Sequence, residues 1–79
     1  MAPQQIKKNL DARPFIPFRL HLSDGSAYDV HDPSDAYVDM LFVTVGTEPD
    51  AESRLFRKSI QISPSHVSRN EPMPELKAS

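Results

Sequence analysis

The chain has no cysteine and no tryptophan, and only two glycines in 79 residues. Without cysteine there is no disulfide to brace the fold and no thiolate zinc site. The histidines stand at 21, 31 and 66, without the spacing of a zinc-ligand set. Two isolated glycines, Gly25 and Gly46, cannot build a phosphate-cradling loop, and no nucleophile elbow is present. No apolar run approaches the ~18 residues of a membrane-crossing helix. Residues 1–8 lack the apolar core of a signal peptide. These absences predict no metal, no cofactor, no membrane contact and a cytoplasmic location.

Seventy-nine residues make one domain. A chain this short buries only ~60–65% of its unfolded surface, so its core is marginal. Small β domains without staples gain stability by association or by covering their sheet edges. A homo-oligomer is therefore an expectation.

What is present is a hairpin whose register can be read directly. Phe18, Leu20 and Leu22 alternate with Arg19, His21 and Ser23; Tyr28 and Val30 alternate with Ala27 and Asp29. Period-two alternation marks one buried and one wet face. A two-residue Asp24-Gly25 loop would pair Leu20 with Asp29 and put a charge in the apolar layer. A three-residue loop, Ser23-Asp24-Gly25, pairs Leu20 with Tyr28 and Phe18 with Val30. It also places Gly25 where a type I turn plus bulge needs a left-handed residue. That register sets Arg19 opposite Asp29 and His21 beside Ala27.

Around the hairpin, Pro3 and the Ile6/Leu10 spacing predict a two-turn helix over residues 3–11. Pro14 and Pro17 keep residues 13–17 extended. Asp32-Pro33-Ser34-Asp35 is a turn. Residues 36–45 form an apolar strand, central in its sheet or bent near Asp39, and closed by Gly46. Residues 47–53 form an acidic loop. Residues 54–62 form a strand in which Lys58 interrupts the Phe56/Ile60/Ile62 face, as expected at an edge. Ser63–Val67 holds a 3₁₀ turn and Ser68–Glu71 a short last strand. Residues 72–79 read as a disordered tail after a domain spanning 1–71. The expected core is Phe15, Phe18, Leu20, Leu22, Tyr28, Val30, Val38, Leu41, Val43, Val45, Phe56, Ile60, Ile62 and Val67. This order predicts a mainly β fold of four to five strands with a short N-terminal helix. It fits an SH3-like or Sm-like barrel, or else an open antiparallel sheet.

Charge is segregated along the chain. Residues 24–52 carry eight acids and no lysine or arginine; residues 53–70 carry Arg54, Arg57, Lys58 and Arg69 and no acid. Acidic middle strands paired against basic neighbours in one sheet would explain this. The alternative is separate acidic and basic patches built for partners.

The string Arg13-Pro14-Phe15-x-Pro17-Phe18-Arg19-Leu20-His21-Leu22-Ser23-Asp24-Gly25, followed by Val30-His31-x-Pro33 and His66-Val67-x-Arg69, resembles a family of short, uncharacterised bacterial proteins. The resemblance covers most of residues 12–71 and implies no activity. A weaker likeness is to Sm-like RNA-binding barrels, in the helix followed by a strand ending in Asp-Gly. The chain departs from their RNA loops: residues 32–40 hold no Asn, and Ser63-Pro64 stands where that family carries Arg-Gly.

Function is read as a non-enzymatic protein-interaction or regulatory module, in which an exposed edge strand such as 54–62 accepts a partner strand. The surface expected to serve it comprises Arg19, His21, Arg54, Arg57, Lys58 and Arg69. Arg54, Arg57, Lys58 and Arg69, with Arg19, could form a basic nucleic-acid face with Phe56 or Tyr28 for stacking, but the overall pI of about 5.8 disfavours that. Third comes a small enzyme or metal protein, for which a shell this thin leaves little room for a ~300 Å³ pocket.

Overall fold

The computed structural model describes residues 1–53 and 55–76. Its elements are helix α1 (Pro3–Asp11) and strands β1 (Phe18–Leu22), β2 (Ala27–Val30), β3 (Ala36–Val38), β4 (Val43–Pro49), β5 (Phe56–Ile62) and β6 (Val67–Pro72), with 3₁₀ turns at Pro33–Asp35, Pro64–His66 and Pro74–Leu76. The strands form two antiparallel three-stranded sheets, ordered β2-β1-β6 and β3-β4-β5.

Helix α1 has Pro3 in its first turn and buries Ile6 and Leu10. Four-residue spacing sets those two on one face. The helix stops just before the Arg13-Pro14 pair, where proline disfavours helical backbone at the residue ahead of it. Arg13 Nη1 donates to the Leu10 and Ala12 carbonyls (3.2 and 2.8 Å), satisfying acceptors the helix end leaves open.

The β1–β2 hairpin has the expected register: Phe18 with Val30, Arg19 with Asp29, Leu20 with Tyr28, His21 with Ala27. Gly25 sits at φ 93°, its N–H donating to the Leu22 carbonyl, while Leu22 N–H donates to Ser26. Gly46 has a different role from the strand end expected of it. It lies inside β4, and a Cβ there would clash with the Phe56 ring at Cγ and both Cδ atoms.

The strand expected over 36–45, central or bent near Asp39, turns back at Asp39 as a hairpin whose second strand, β4, is central in its sheet. Asp39 Oδ1 accepts the N–H groups of Leu41 and Phe42 at 2.8 Å each, and Asp39 N–H donates to the Phe42 carbonyl. An aspartate bonding the backbone two residues on is a turn former that competes with the ladder. Leu41 therefore stands 71% exposed at a turn, outside the core expected to hold it. Beyond the turn β4 runs on to Pro49, so the acidic loop is shorter than expected.

One apolar cluster joins α1 to both sheets: Ile6, Leu10, Phe18, Leu20, Val30, Val43, Val45, Ile62 and Val67. Phe15, Leu22, Tyr28, Val38 and Ile60 pack around it half-buried. The packed chain also continues past residue 71. Strand β6 reaches Pro72, Met73 is buried, and its N–H donates to the Pro17 carbonyl at 2.8 Å. Residues 77–79 of the expected tail lie outside the described residues.

The fold is mainly β with a short N-terminal helix, but it is not a closed barrel. Closure requires a strand to carry one sheet's ladder into the next. The two crossings between sheets run through Pro33 and Pro64, each opening a 3₁₀ turn. Proline donates no ladder hydrogen bond, and each turn ends the strand before it.

Candidate functional site

The failure to close leaves a cleft of about 870 Å³ between the sheets. One wall is the β1–β2 hairpin, with Arg19, His21, Asp29 and His31 from its outer side and Tyr28 from its core-facing side. The other is β4 from Val45 to Thr47, with Pro49 and, from β5, Phe56. The cleft follows β2 from Gly25 at the hairpin turn to His31 beyond its far end. Open space this large was not expected of so thin a shell; it lies between two sheets rather than inside one.

Local sequence positions each wall. Alternation along β1 turns Arg19 and His21 away from the core that Phe18 and Leu20 enter. On β4, the register shifts at Gly46/Glu48 and Glu48/Pro49 mark bulges, which bend a strand and increase its local twist. The Phe56 ring lies against Gly46, an aromatic covering a glycine on the neighbouring strand.

The anticipated surface residues do not form a single basic face. Arg19, His21 and Arg69 share the outer side of the first sheet, His21 being in register with Arg69. Arg57 and Lys58 lie on β5, in the second sheet. Arg54 lies outside the described residues. Each described member of that set has a carboxylate beside it. Arg19 holds Asp29 through Nε–Oδ1 at 2.6 Å and Nη2–Oδ2 at 3.1 Å. His21 Nε2 lies 2.8 Å from Glu71 Oε1, Arg57 2.7 Å from Asp50, Lys58 3.6 Å from Glu48 and Arg69 4.0 Å from Glu71. The outer surface is a mosaic of both signs.

The acidic run resolves in the same way, within two sheets rather than one. Asp29 and Glu48 pair with cations across strands. Asp24 and Asp32 instead accept both the N–H and the hydroxyl of Ser26 and Ser34, Asp50 accepts both from Ser53 as well as meeting Arg57, and Asp39 holds its own turn. Half of the acids between residues 24 and 52 thus build loops. The pattern Asp-x-Ser at 24–26 and 32–34 was a legible signal of this.

These bonds fix the acid response. Asp29 is held below the usual carboxylate range by its hydrogen bond to Arg19, and Glu71 by its bond to His21. Asp24, Asp32 and Asp50 are lowered first by their serine hydroxyls, and Asp39 by the Phe42 and Leu41 N–H groups. Every such group has a lower pKa folded than unfolded, so as pH falls the unfolded chain takes up protons first. Their stabilisation is complete above the unfolded carboxylate values, near pH 4–4.5, and drains away below them. The melting temperature is expected to be level from about pH 7 to 5 and to fall steeply below about 4.5. Thermal melts across pH would check this, with Asp29→Asn losing less on acidification than the parent. A fall already under way at pH 6 would show that these carboxylates do not set the dependence.

Among the described residues no group of three or more His, Asp or Glu is placed to hold a metal ion, and no helix is long and apolar enough to cross a membrane. Residue reading had not singled out Phe56, Gly46 and Thr47 as one wall of a site. A glycine inside a β-branched run, with an aromatic opening the next strand, was the available signal. A scan against protein-family models, a search of curated proteins and a search of solved structures each found no match.

Proposed function

We propose that the chain is a non-enzymatic protein-interaction module that takes an extended peptide segment as an added strand along β2. The observation that carries this reading is a sheet edge, unpaired among the described residues, that lines the cleft of about 870 Å³. The Leu22–Ser26 bond makes that pair a hydrogen-bonded one. Such pairs alternate in an antiparallel ladder, so Leu20/Tyr28 and Phe18/Val30 bond in turn. Ala27 and Asp29 then direct their N–H and C=O groups away from β1, toward the cleft. Strand addition draws affinity from main-chain groups of this kind and specificity from side-chain pockets. Phe56 and Tyr28 offer apolar contact to the incoming side chains, and the Arg19–Asp29 pair and His31 offer polar ones. The β5 edge expected for this task is less suited, because the strand carries Arg57 and Lys58 and its pairing with β4 is irregular. The ion-paired cations lend less support to a nucleic-acid surface.

Peptides selected from a random display library on the immobilised protein, then titrated while backbone amide resonances are followed, test the reading. The Ala27 and Asp29 amides are expected to shift on binding. Ala27→Pro removes an N–H that β1 does not use, which an edge strand tolerates. It should leave the thermal melt nearly unchanged and weaken the selected peptides about ten-fold. Peptides that bind Ala27→Pro as tightly as the parent, or a library yielding no binder, would reject strand addition at β2.

A further inference from the structure

A second surface, sharing no residue with the cleft, lies at the β3–β4 turn. Met40 is 75% exposed, Leu41 71% and Tyr37 66%. The three Asp39 hydrogen bonds hold this turn in one shape. An ordered apolar projection is unusual on a soluble monomer and marks an interaction site. Beside it runs a groove of about 460 Å³ between α1 and β3, with Pro3, Lys7 and Val38 among its walls. Met40 belongs to both the projection and the groove wall. Knob and hole are therefore contiguous on one face, the arrangement a two-fold interface needs, since each copy must present the same patch.

We propose that the occupant of this groove is a second copy of the chain, with Met40 and Leu41 of each copy seated against the α1–β3 groove of the other. Charge supports the self-pairing. Lys8 lines the groove and has no carboxylate partner among the described residues. Both side-chain bonds of Asp39 go to Oδ1, leaving the second oxygen and its charge for a cation. Asp39 and Lys8 both line the groove of each copy, and in a two-fold exchange Asp39 of one copy meets Lys8 of the other across the seam. A domain of 79 residues without disulfides also has stability to gain from such burial.

Sedimentation equilibrium of the full chain over a concentration series tests the proposal. A dimer is expected, with a melting temperature that rises with concentration. The double variant M40D/L41D, altered only at exposed positions, should raise the dissociation constant at least about thirty-fold and abolish the concentration dependence. K8E should weaken the dimer about two- to five-fold, more at low salt than at high. D39N, which keeps the turn acceptor but removes the charge, should behave like K8E. A chain that stays monomeric at about 1 mM, the weak end of specific association, overturns the proposal. Co-sedimentation with anionic vesicles would then tell whether a lipid surface is the occupant instead. A dimer that survives M40D/L41D overturns it as well, by placing the interface elsewhere.

Discussion

Leu20→Ala is expected to destabilise the protein by about 2–5 kcal/mol. Leu20 is fully buried in the cluster that joins α1 to both sheets. Truncation removes transfer free energy and leaves a cavity, and the cost depends on how far the surroundings can collapse. Here they collapse little, because Leu20 sits on the central strand of its sheet, pinned between β2 and β6. At 0.05–0.15 kcal/mol per residue, a domain of this length holds roughly 4–12 kcal/mol in all. The substitution thus removes a large share, and at the lower end it unfolds the chain. Urea denaturation of parent and variant measures the difference. An unchanged midpoint would mean that Leu20 does not point into the core and that the hairpin register is wrong.

Gly46→Ala is expected to cost about 1–3 kcal/mol, although alanine is the better residue for most strand positions. The new Cβ would fall on the root of the Phe56 ring, at Cγ and both Cδ atoms. The root of a ring cannot swing aside as the end of a long side chain can; χ1 must change. The ring then leaves β4 and moves toward the cleft it lines. Two readouts should change together: the denaturation midpoint falls, and the Phe56 ring resonances shift. The variant should also lose peptide affinity if strand addition along β2 uses that wall. A Gly46→Ala protein as stable as the parent would show that the ring does not rest on the glycine.

Several elements were legible because they are local. The hairpin register follows from alternation plus the needs of a three-residue loop, and Gly25 takes the left-handed backbone that loop requires. The Ile6/Leu10 spacing and Pro3 placed α1, and Pro64 placed the second 3₁₀ turn. The apolar run 36–45 was harder. A run of consecutive apolar residues does not distinguish a buried strand from a hairpin that displays its turn. Asp39 decided between them through two backbone hydrogen bonds, and so moved Leu41 from core to surface. Met73 falls in the stretch expected as a terminal tail. Whether an isolated apolar residue is buried depends on a hydrogen bond to Pro17, 56 positions earlier, that no local pattern encodes.

The sequence by itself determined the β class, the short helix, the first hairpin and most of the core. Alternation, proline placement and turn chemistry act within a few residues and leave their mark on the order of side chains. Only the tertiary structure decided that the strands divide into two sheets, that the cations on both face carboxylates, and that the gap between them is a cleft. Those features depend on pairings between segments distant in the chain, such as β1 with β6 and Phe56 with Gly46. Periodicity states which face of a strand is apolar; it does not state which strand lies beside it.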